Sequence, residues 1–171
     1  MQTSYSVNIP AVSYPGQLAN LVRSKIETAM AVAAAIVYGT LVVRDGGAAA
    51  DGITISGKAP SASGDITDFE NVLGVAVADQ ARAQDPSVAD PVYPQGAAVP
   101  CLRDGEIWVK VEEAVDAGDL PFVRFAAGAG GTTLGAFRRS ADTATAAQLP
   151  NAVYKSKAAA QGFAILSIQN P

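Results

Sequence analysis

The sequence of 171 residues contains no histidine. Histidine is the usual general base near neutral pH, the commonest zinc ligand and the base partner in Ser-His and Cys-His nucleophile pairs. Cysteine is almost as scarce, because Cys101 stands alone and no intrachain disulfide can form. Without a histidine beside it, we interpret Cys101 as a small apolar strand residue and not as a nucleophile. The sequence therefore predicts no catalytic residue, no metal site and no cofactor, and we do not expect an enzyme.

Basic residues and long apolar segments are scarce as well. Twelve Lys and Arg face sixteen Asp and Glu, the formal net charge is -4, and the basic residues are scattered, whereas nucleic-acid binding needs them clustered. We interpret the adjacent pair Arg138 and Arg139 as a solvated turn or strand end. The longest apolar run, residues 29–43, is shorter than the roughly 20 residues that cross a bilayer, and Gly39 interrupts it. We expect neither nucleic acid nor a membrane as a partner.

Aromatic side chains make up only 6% of the residues, although 49% are hydrophobic. Ala, Gly and Val are abundant, so the core must be built from small and β-branched side chains, which suit thin sheets better than thick helical layers. The sequence predicts a mainly β fold, a small antiparallel barrel or sandwich with at most a short helix. Residues 1–20 are expected to form an extended amino-terminal arm, and residues 21–171 a single β-rich domain.

The predicted arm carries apolar residues without a local core to bury them. Tyr5, Val7 and Ile9 alternate with polar neighbours, and the arm ends in a turn signalled by Pro15-Gly16. A segment with so few local contacts either pairs with a sheet or docks on a partner. We expect Tyr5, Val7, Ile9 and Tyr14 to contact a partner, and the alternative is that they pair with the parent sheet.

Short alternating or β-branched segments predict the strands. The clearest covers residues 39–44, and others are expected in ITISG, in the closing FAILSI and in VLGVAVADQ, where Gly74 permits a bulge or a close backbone approach. Residues 29–35 fit either helix or strand. We interpret residues 58–64 as a flexible connection, and residues 85–100, with four prolines, as a long connection and an edge. The glycine-rich AAGAGGTTLGAFRR lacks the features of a phosphate-binding loop and is interpreted as a loop before a short strand.

An acidic stretch at residues 102–125, LRDGEIWVKVEEAVDAGDLPFVRF, raises the question of a carboxylate site. Asp104-Gly105 is a type I′ turn dipeptide and predicts a hairpin, and residues 116–119 (DAGD) predict a second turn. Glu112 and Glu113 are adjacent on an extended chain, so their carboxylates are expected on opposite faces and cannot converge as an acid/base pair unless a bulge intervenes. The acids are therefore interpreted as turn and surface residues.

Strand alternation in EIWVKVEE separates an apolar face from a mixed one. Ile107, Val109 and Val111 are expected on the first face, and Trp108 lies on the second together with charged neighbours. The ring of Trp108 is either a half-buried packing group or an anchor for a partner. We include Trp108 among the expected partner contacts.

Several of these segments, taken in order, resemble a known family. YPGQLAN is followed by YGTLVV, NVLGVAVAD, YPQGAAVPCLRDGEIWVKVEEAVDAGD, LGAFR and a closing GFAILSIQ. This series, which covers most of the chain, resembles the small β-rich head decoration (cement) proteins of tailed bacteriophages.

The resemblance implies a non-enzymatic protein that binds the outside of the expanded head and stabilises contacts between major-capsid subunits. It implies two partners, the major capsid protein and further copies of this chain in a homotrimer, and a place on the outer surface of the virion after synthesis in the host cytoplasm. Two alternatives stay open: a tail or baseplate component, and a carboxylate-dependent hydrolase that uses the acids between Glu112 and Asp119. The expected capsid or partner contacts are Tyr5, Val7, Ile9, Tyr14 and Trp108.

Overall fold

The computed structural model describes residues 14–46, 55–79 and 91–169. Tyr5, Val7 and Ile9 of the expected contact set lie outside these ranges. The described chain forms strands and one short helix, in the order β1 (Leu18–Ala31), β2 (Ile36–Val37), β3 (Leu41–Arg44), β4 (Ser56–Lys58), α1 (Ser63–Thr67), β5 (Val72–Ala76), β6 (Val92–Tyr93), β7 (Ala98–Lys110), β8 (Phe122–Arg124), β9 (Phe137–Arg138), β10 (Ala146–Gln148), β11 (Ala152–Tyr154) and β12 (Phe163–Gln169).

Five strands close into a small barrel. The main sheet has the order β1-β4-β3-β5-β7-β12-β11, and β1 also pairs with β7, which joins the two ends of the first five strands. The barrel pairings are antiparallel except that of β1 with β4, which is parallel at Met30 and Ser56. Strands β8, β9 and β10 form a separate small sheet. The predicted mainly β barrel with at most a short helix is therefore confirmed.

Strand β7 links the barrel to the rest of the fold, and it corrects the predicted hairpin. Asp104 and Gly105 form no turn, because β7 runs through them from Ala98 to Lys110 and stays paired with β1 along one edge. Its other edge changes partner here, from β5 at Leu102 to β12 at Asp104. Gly105 has a φ of 138°, which a side chain would disfavour. The Asp-Gly signal therefore marks a bend in one continuous strand, at the point where the neighbouring strand changes.

The two faces of the central strands are buried in two separate cores. Ile107, Val109 and Val111 are fully buried, as predicted, in a core that collects residues from β3, β5 and β7 and from β8 to β12. The opposite faces of β3, β5 and β7 join β1 in the second core, where Cys101 is buried beside Val99. Ala, Val and Cys make up six of the ten buried residues of this second core, and the rings of Tyr38 and Tyr93 pack against each other in it.

The structure resolves one segment that the sequence leaves open and corrects the interpretation of another. Residues 29–35 are not helical, because β1 continues to Ala31 and pairs there with β4 on one edge, after pairing with β7 on the other. Pairing on both edges overrides the helix propensity of alanine. In the proline-rich segment, Pro100 lies within β7, and its carbonyl accepts a hydrogen bond of 2.8 Å from Val77 N–H. The edge expected at residues 85–100 is therefore not found at Pro100.

Residues 58–64 contain the start of α1 and are not simply a flexible connection. Ile66 of this helix is fully buried and anchors it on the first core. The Asp65 carboxylate accepts hydrogen bonds from the backbone N–H groups of Ser61 and Ala62, at 2.8 and 3.1 Å, which caps the helix start. No helix in the described part of the chain is long and apolar enough to cross a membrane.

Candidate functional site

The turn at residues 14–17 joins the end of the predicted arm to Trp108. Gln17 N–H donates to the Tyr14 carbonyl at 3.1 Å, and Gly16 has a φ of 83°, so the turn with Pro15 in second place is a type II β-turn. Gly16 N–H donates to the Trp108 carbonyl at 2.8 Å, and Trp108 N–H donates to the Gln17 carbonyl at 2.8 Å. The structure therefore places the backbone of Trp108 against the turn that begins at Tyr14, and both are expected contact residues.

Gly16 fixes this turn on the barrel. Ala78 N–H donates to the Gly16 carbonyl at 2.8 Å. A Cβ at Gly16 would lie 2.7 Å from Ala78 N and 2.8 Å from the Ala76 carbonyl oxygen, so only glycine fits between these backbones. The segment that precedes Tyr14 therefore starts from a fixed point on the domain surface beside Trp108.

Trp108 lies on the outer face of the β7-β12-β11 sheet. Its cross-strand neighbour is Ile165, and both residues are half-buried. The next pair on this face is Lys110 with Phe163, and Phe163 is 36% exposed. The Trp108 side chain is thus partly covered within its own sheet, where Ile165 is its neighbour. The rest of its surface is accessible on the same face as the exposed Phe163.

Strand β1 presents exposed apolar residues that sequence reasoning missed. Leu21 is 78% exposed and Ile26 is 45% exposed. The six residues from Asn20 to Lys25 of β1 stand opposite only the three residues from Asp104 to Glu106 of β7, so this part of the strand bulges out of the regular ladder. No local pattern distinguishes an exposed leucine from a buried one, because the bulge results from pairing with a strand about 80 positions away.

One acid of the stretch at residues 102–125, Glu112, lies in a buried ion cluster. Arg124 is fully buried, and it donates to both carboxylate oxygens of Glu112, from Nε at 2.8 Å and from Nη2 at 2.7 Å. Arg124 Nη2 also donates to Asp142 at 2.7 Å, and Arg138 donates to Glu112 at 3.2 Å and to Asp142 at 2.8 Å. Hydrogen bonding to Glu112 raises the pKa of Arg124, so its guanidinium stays charged. The cluster ties together β8, β9 and the segments that follow β7 and β9.

Glu113 joins the same cluster, which corrects two predictions. Its carboxylate lies 3.3 Å from Nε of Arg138, the arginine that also binds Glu112. The two carboxylates therefore converge on one guanidinium instead of leaving opposite faces, because β7 ends at Lys110 and the chain bends after it. Arg138 is 5% exposed and is not a solvated strand end, whereas Arg139 is exposed.

Glycines cover the ion cluster, and a strained turn positions Asp142. A Cβ on Gly131 would overlap the Glu112 carboxylate, and one on Gly128 would lie 2.6 Å from Asp142 Oδ2. Asp142 and the two residues after it have φ values of 45°, 54° and 66°, a left-handed run that costs roughly 1–2 kcal/mol per residue. The glycine-rich loop thus has a structural role, since its backbone approaches the charged groups more closely than side chains would permit.

The predicted turn at residues 116–119 is confirmed. Asp119 N–H donates to the Asp116 carbonyl at 3.1 Å, and Asp116 N–H donates to the Asp119 carboxylate at 2.9 Å. Gly118 supplies a φ of 95°. Both carboxylates also contact Arg139, at 3.7 Å from Asp116 and 3.1 Å from Asp119. The acids between Glu112 and Asp119 are thus engaged in turn formation and ion pairing.

The carboxylates of the cluster predict a loss of stability in acid. Partial burial acts to raise the pKa of Glu113, but hydrogen bonds from Ser140 and from Arg139 N–H, with the charge of Arg138, hold it below its ordinary value. The hydrogen bond from Arg124 lowers the pKa of Asp142. Because both values are depressed in the folded state, their stabilising contribution is complete above the unfolded pKa, about 4, and is lost as the pH falls through the folded values. We expect the Tm to be flat above about pH 5 and to fall below about pH 4.

Thermal unfolding across this range, with a Glu113→Gln variant beside the parent protein, checks the expectation. The variant should be less stable at neutral pH and should lose less Tm on acidification. Parallel curves for the two proteins would show that Glu113 has no part in the acid transition.

The chain is similar to known proteins over nearly its whole length. Residues 1–169 match the family model described as "Structural cement protein (E217 gp24/Pam3 gp6)". No curated protein matches the sequence significantly. A chain in the solved structure "The capsid of Myoviridae Phage XM1" is similar with a TM-score of 0.66 at 13% sequence identity, over 98% of each chain. At this identity the structural similarity shows a shared fold.

Proposed function

Because this chain belongs to the phage structural cement protein family, we propose that it binds the outside of the expanded phage head and stabilises contacts between major-capsid subunits. It is a capsid cement protein and a component of the phage virion. The family match over residues 1–169 carries this conclusion, and it confirms the resemblance found in the sequence.

The charge distribution supports a position on the outer surface. The formal net charge is -4, which disfavours contact with packaged DNA. Arg124 and Arg138 are buried and paired with carboxylates, so they cannot contact phosphates. A protein that meets only other protein subunits has no need of a basic surface.

The proposed contacts with the capsid are the side chains of the arm and the surface from which it starts. Tyr5, Val7, Ile9 and Tyr14 supply apolar groups, and the fixed turn at Gly16 holds the origin of the arm beside Trp108. A fixed origin reduces the conformational freedom that the arm loses on binding. We propose that these side chains and the accessible part of Trp108 meet the major capsid protein.

A structural role without catalysis agrees with the state of the acids. The carboxylates of Glu112, Glu113 and Asp142 bind arginines, and those of Asp116 and Asp119 bind Arg139 or backbone. Carboxylates bound in this way are occupied by their partners, whereas a general acid must have open access to a substrate. We propose that the cluster serves stability only.

We further propose that the protein acts as a homotrimer. Three copies that engage three equivalent sites on the head would gain avidity without any new type of contact. A modest affinity of each arm would then suffice for stable decoration.

Undecorated expanded heads provide the direct test. The protein is expected to bind them saturably and to raise their resistance to heat, while purified tails bind none. Heads that show no saturable binding would contradict the proposed function, and binding to tails instead would favour a tail or baseplate component.

The contribution of the arm side chains can be measured in the same assay. Replacing Tyr5, Val7 and Ile9 together by serine should weaken head binding on the order of a hundredfold or more, because each apolar side chain contributes roughly 1.5–3 kcal/mol when buried. The matched control replaces three exposed apolar residues outside the proposed contacts by serine, namely Val92, Leu120 and Leu134. This triple variant should bind heads with unchanged affinity. Equal affinities of the two triple variants would refute the role of the arm.

A further inference from the structure

A cleft opens where the start of β3, the end of β7 and the glycine-rich loop at residues 130–133 meet. Its volume is about 240 Å³, and a cavity of about 150 Å³ already holds a benzene ring. The apolar part of its wall comes from Pro15, Val37 and Ala136, and the polar part from Lys110, Thr132 and Thr133. The three polar residues are exposed and carry hydrogen-bond donors. The cleft therefore combines room for an aromatic ring with groups that bind a carboxylate.

Lys110 gives the cleft its exposed charge. Glu112 also lines the cleft, but its carboxylate is bound by Arg124 and by Arg138, both of them buried. The negative charge of Glu112 is thus compensated from inside the protein. An occupant with an apolar ring next to a negative charge is the complement of this cleft.

The turn between α1 and β5 carries a group of this chemistry. Asn71 N–H donates to the Asp68 carbonyl at 3.0 Å, which places Phe69 and Glu70 in the two central positions of a β-turn. Glu70 N–H also donates to the Asp68 carboxylate at 3.1 Å, and this bond holds the turn. Phe69 is 42% exposed, and the acids on either side of it are exposed as well. The turn thus presents an aromatic ring between two carboxylates in a fixed conformation.

The cleft and this turn lie at opposite ends of β3, so a chain cannot fill its own cleft. Val37 and Thr40 of the cleft precede Leu41, the first residue of β3. Arg44, the last residue of β3, donates its N–H to the Asn71 carbonyl of the turn at 2.6 Å. The strand between the two sites spans about 13 Å. Two different surfaces at opposite ends of one strand suit a head-to-tail contact between copies, which closes a ring when the rotation is three-fold.

We propose that the Phe69 ring of one copy enters the cleft of a neighbouring copy, where the Glu70 carboxylate meets Lys110. This inference rests on the proposed homotrimer and names the two surfaces that join its copies. Each copy supplies one turn and one cleft, as a closed ring requires. Trp108 is not among the described residues that line the cleft, so the contact between copies is separate from the proposed contact of Trp108 with the capsid.

Charge reversal on the two surfaces tests the contact in the isolated protein. Glu70→Lys and Lys110→Glu, each alone, place like charges together and should raise the concentration at which the trimer dissociates at least about tenfold. The double variant restores opposite charges at every contact and should recover the trimer. Lys157→Glu is the matched control, because the Lys157 side chain is 81% exposed and lies outside the described lining of the cleft, and it should leave assembly unchanged. Sedimentation equilibrium measures assembly, and thermal unfolding checks that each variant is folded.

The aromatic ring is tested by Phe69→Ser, which should also raise the dissociation concentration at least about tenfold, because the ring no longer contributes its burial. Leu120→Ser is its control, since Leu120 is 51% exposed and lies outside both surfaces, and it should leave the trimer unchanged.

The outcomes separate this contact from the proposals on which it rests. A trimer that is not weakened by the variants at Phe69, Glu70 and Lys110 would overturn the inference and leave the proposed homotrimer intact. Single charge variants that dissociate without recovery in the double variant would overturn the pairing of Glu70 with Lys110. A parent protein that stays monomeric at every concentration would contradict both the homotrimer and this contact. Head binding of the parent protein is measured separately, and its absence would contradict only the proposed function on the capsid.

Discussion

Replacing Arg124 by methionine is expected to lower the free energy of unfolding by about 3–5 kcal/mol, because removing one partner of a buried ion pair leaves the other charge without compensation. The Arg124 guanidinium is fully buried and donates to Glu112, to Asp142, to the Ala126 carbonyl and to Thr145 Oγ1. Methionine fills much of the volume but supplies none of these donors. Such a loss is a large fraction of the 5–15 kcal/mol by which domains are typically stable, so equilibrium unfolding in urea resolves it readily.

Arg139→Met is the matched control for this experiment. Arg139 is the next residue after Arg138, and its ion pairs with Asp116 and Asp119 involve a side chain that is 52% exposed. Exposed pairs contribute about 0–1 kcal/mol, so the control should move the urea midpoint only slightly. Combining Arg124→Met with Glu112→Met should restore part of the loss, since a buried charge is removed with its partner. If Arg124→Met and Arg139→Met shift the midpoint equally, the cluster does not stabilise the fold as its geometry indicates.

The parts of the fold that the sequence predicts are those set by local geometry. Alternation of side chains along a strand is a local property, and it correctly places Ile107, Val109 and Val111 in the core. The turn at residues 116–119 follows from its own Asp and Gly residues. The resemblance to the cement family can also be recognised from the sequence, because it depends on an ordered series of short segments that spans most of the chain. The family match confirms it.

What the sequence does not predict depends on partners distant in the chain. Asp104-Gly105 is a strong local turn signal, yet continuous pairing with β1 keeps β7 extended through it. Arg124 binds an acid 12 positions before it and another 18 positions after it. An arginine near a glycine-rich loop gives no sign of burial by itself, since burial here requires that both acids reach the same site. Among the expected contacts, the fold places Trp108 against the turn that begins at Tyr14, and the role of all five residues in partner binding stays a prediction.

Gly74→Ala is expected to be among the most destabilising single substitutions, by about 3–5 kcal/mol, since it combines backbone strain with overpacking. Gly74 has a φ of 133°, and an added Cβ would overlap the Leu102 carbonyl group and lie 3.1 Å from Arg103 N. These atoms belong to β7 where it pairs with β5, and this contact forms the β5–β7 seam of the barrel. The two strands would have to separate there. The close backbone approach predicted at this glycine is therefore a condition for the pairing of β5 with β7.

Two further glycines separate the effect of backbone conformation from that of the seam. Gly96 has a φ of 82° but open space around its Cα, so Gly96→Ala measures strain alone and should cost about 1–2 kcal/mol. Gly64 lies in α1 with open space and no positive φ, so Gly64→Ala should stabilise by up to about 1 kcal/mol through helix propensity. Urea unfolding of the three variants should rank Gly74→Ala well below Gly96→Ala, and Gly64→Ala above the parent. If Gly74→Ala loses no more stability than Gly96→Ala, β5 and β7 can move apart without cost, and the barrel would not depend on the contact at its seam.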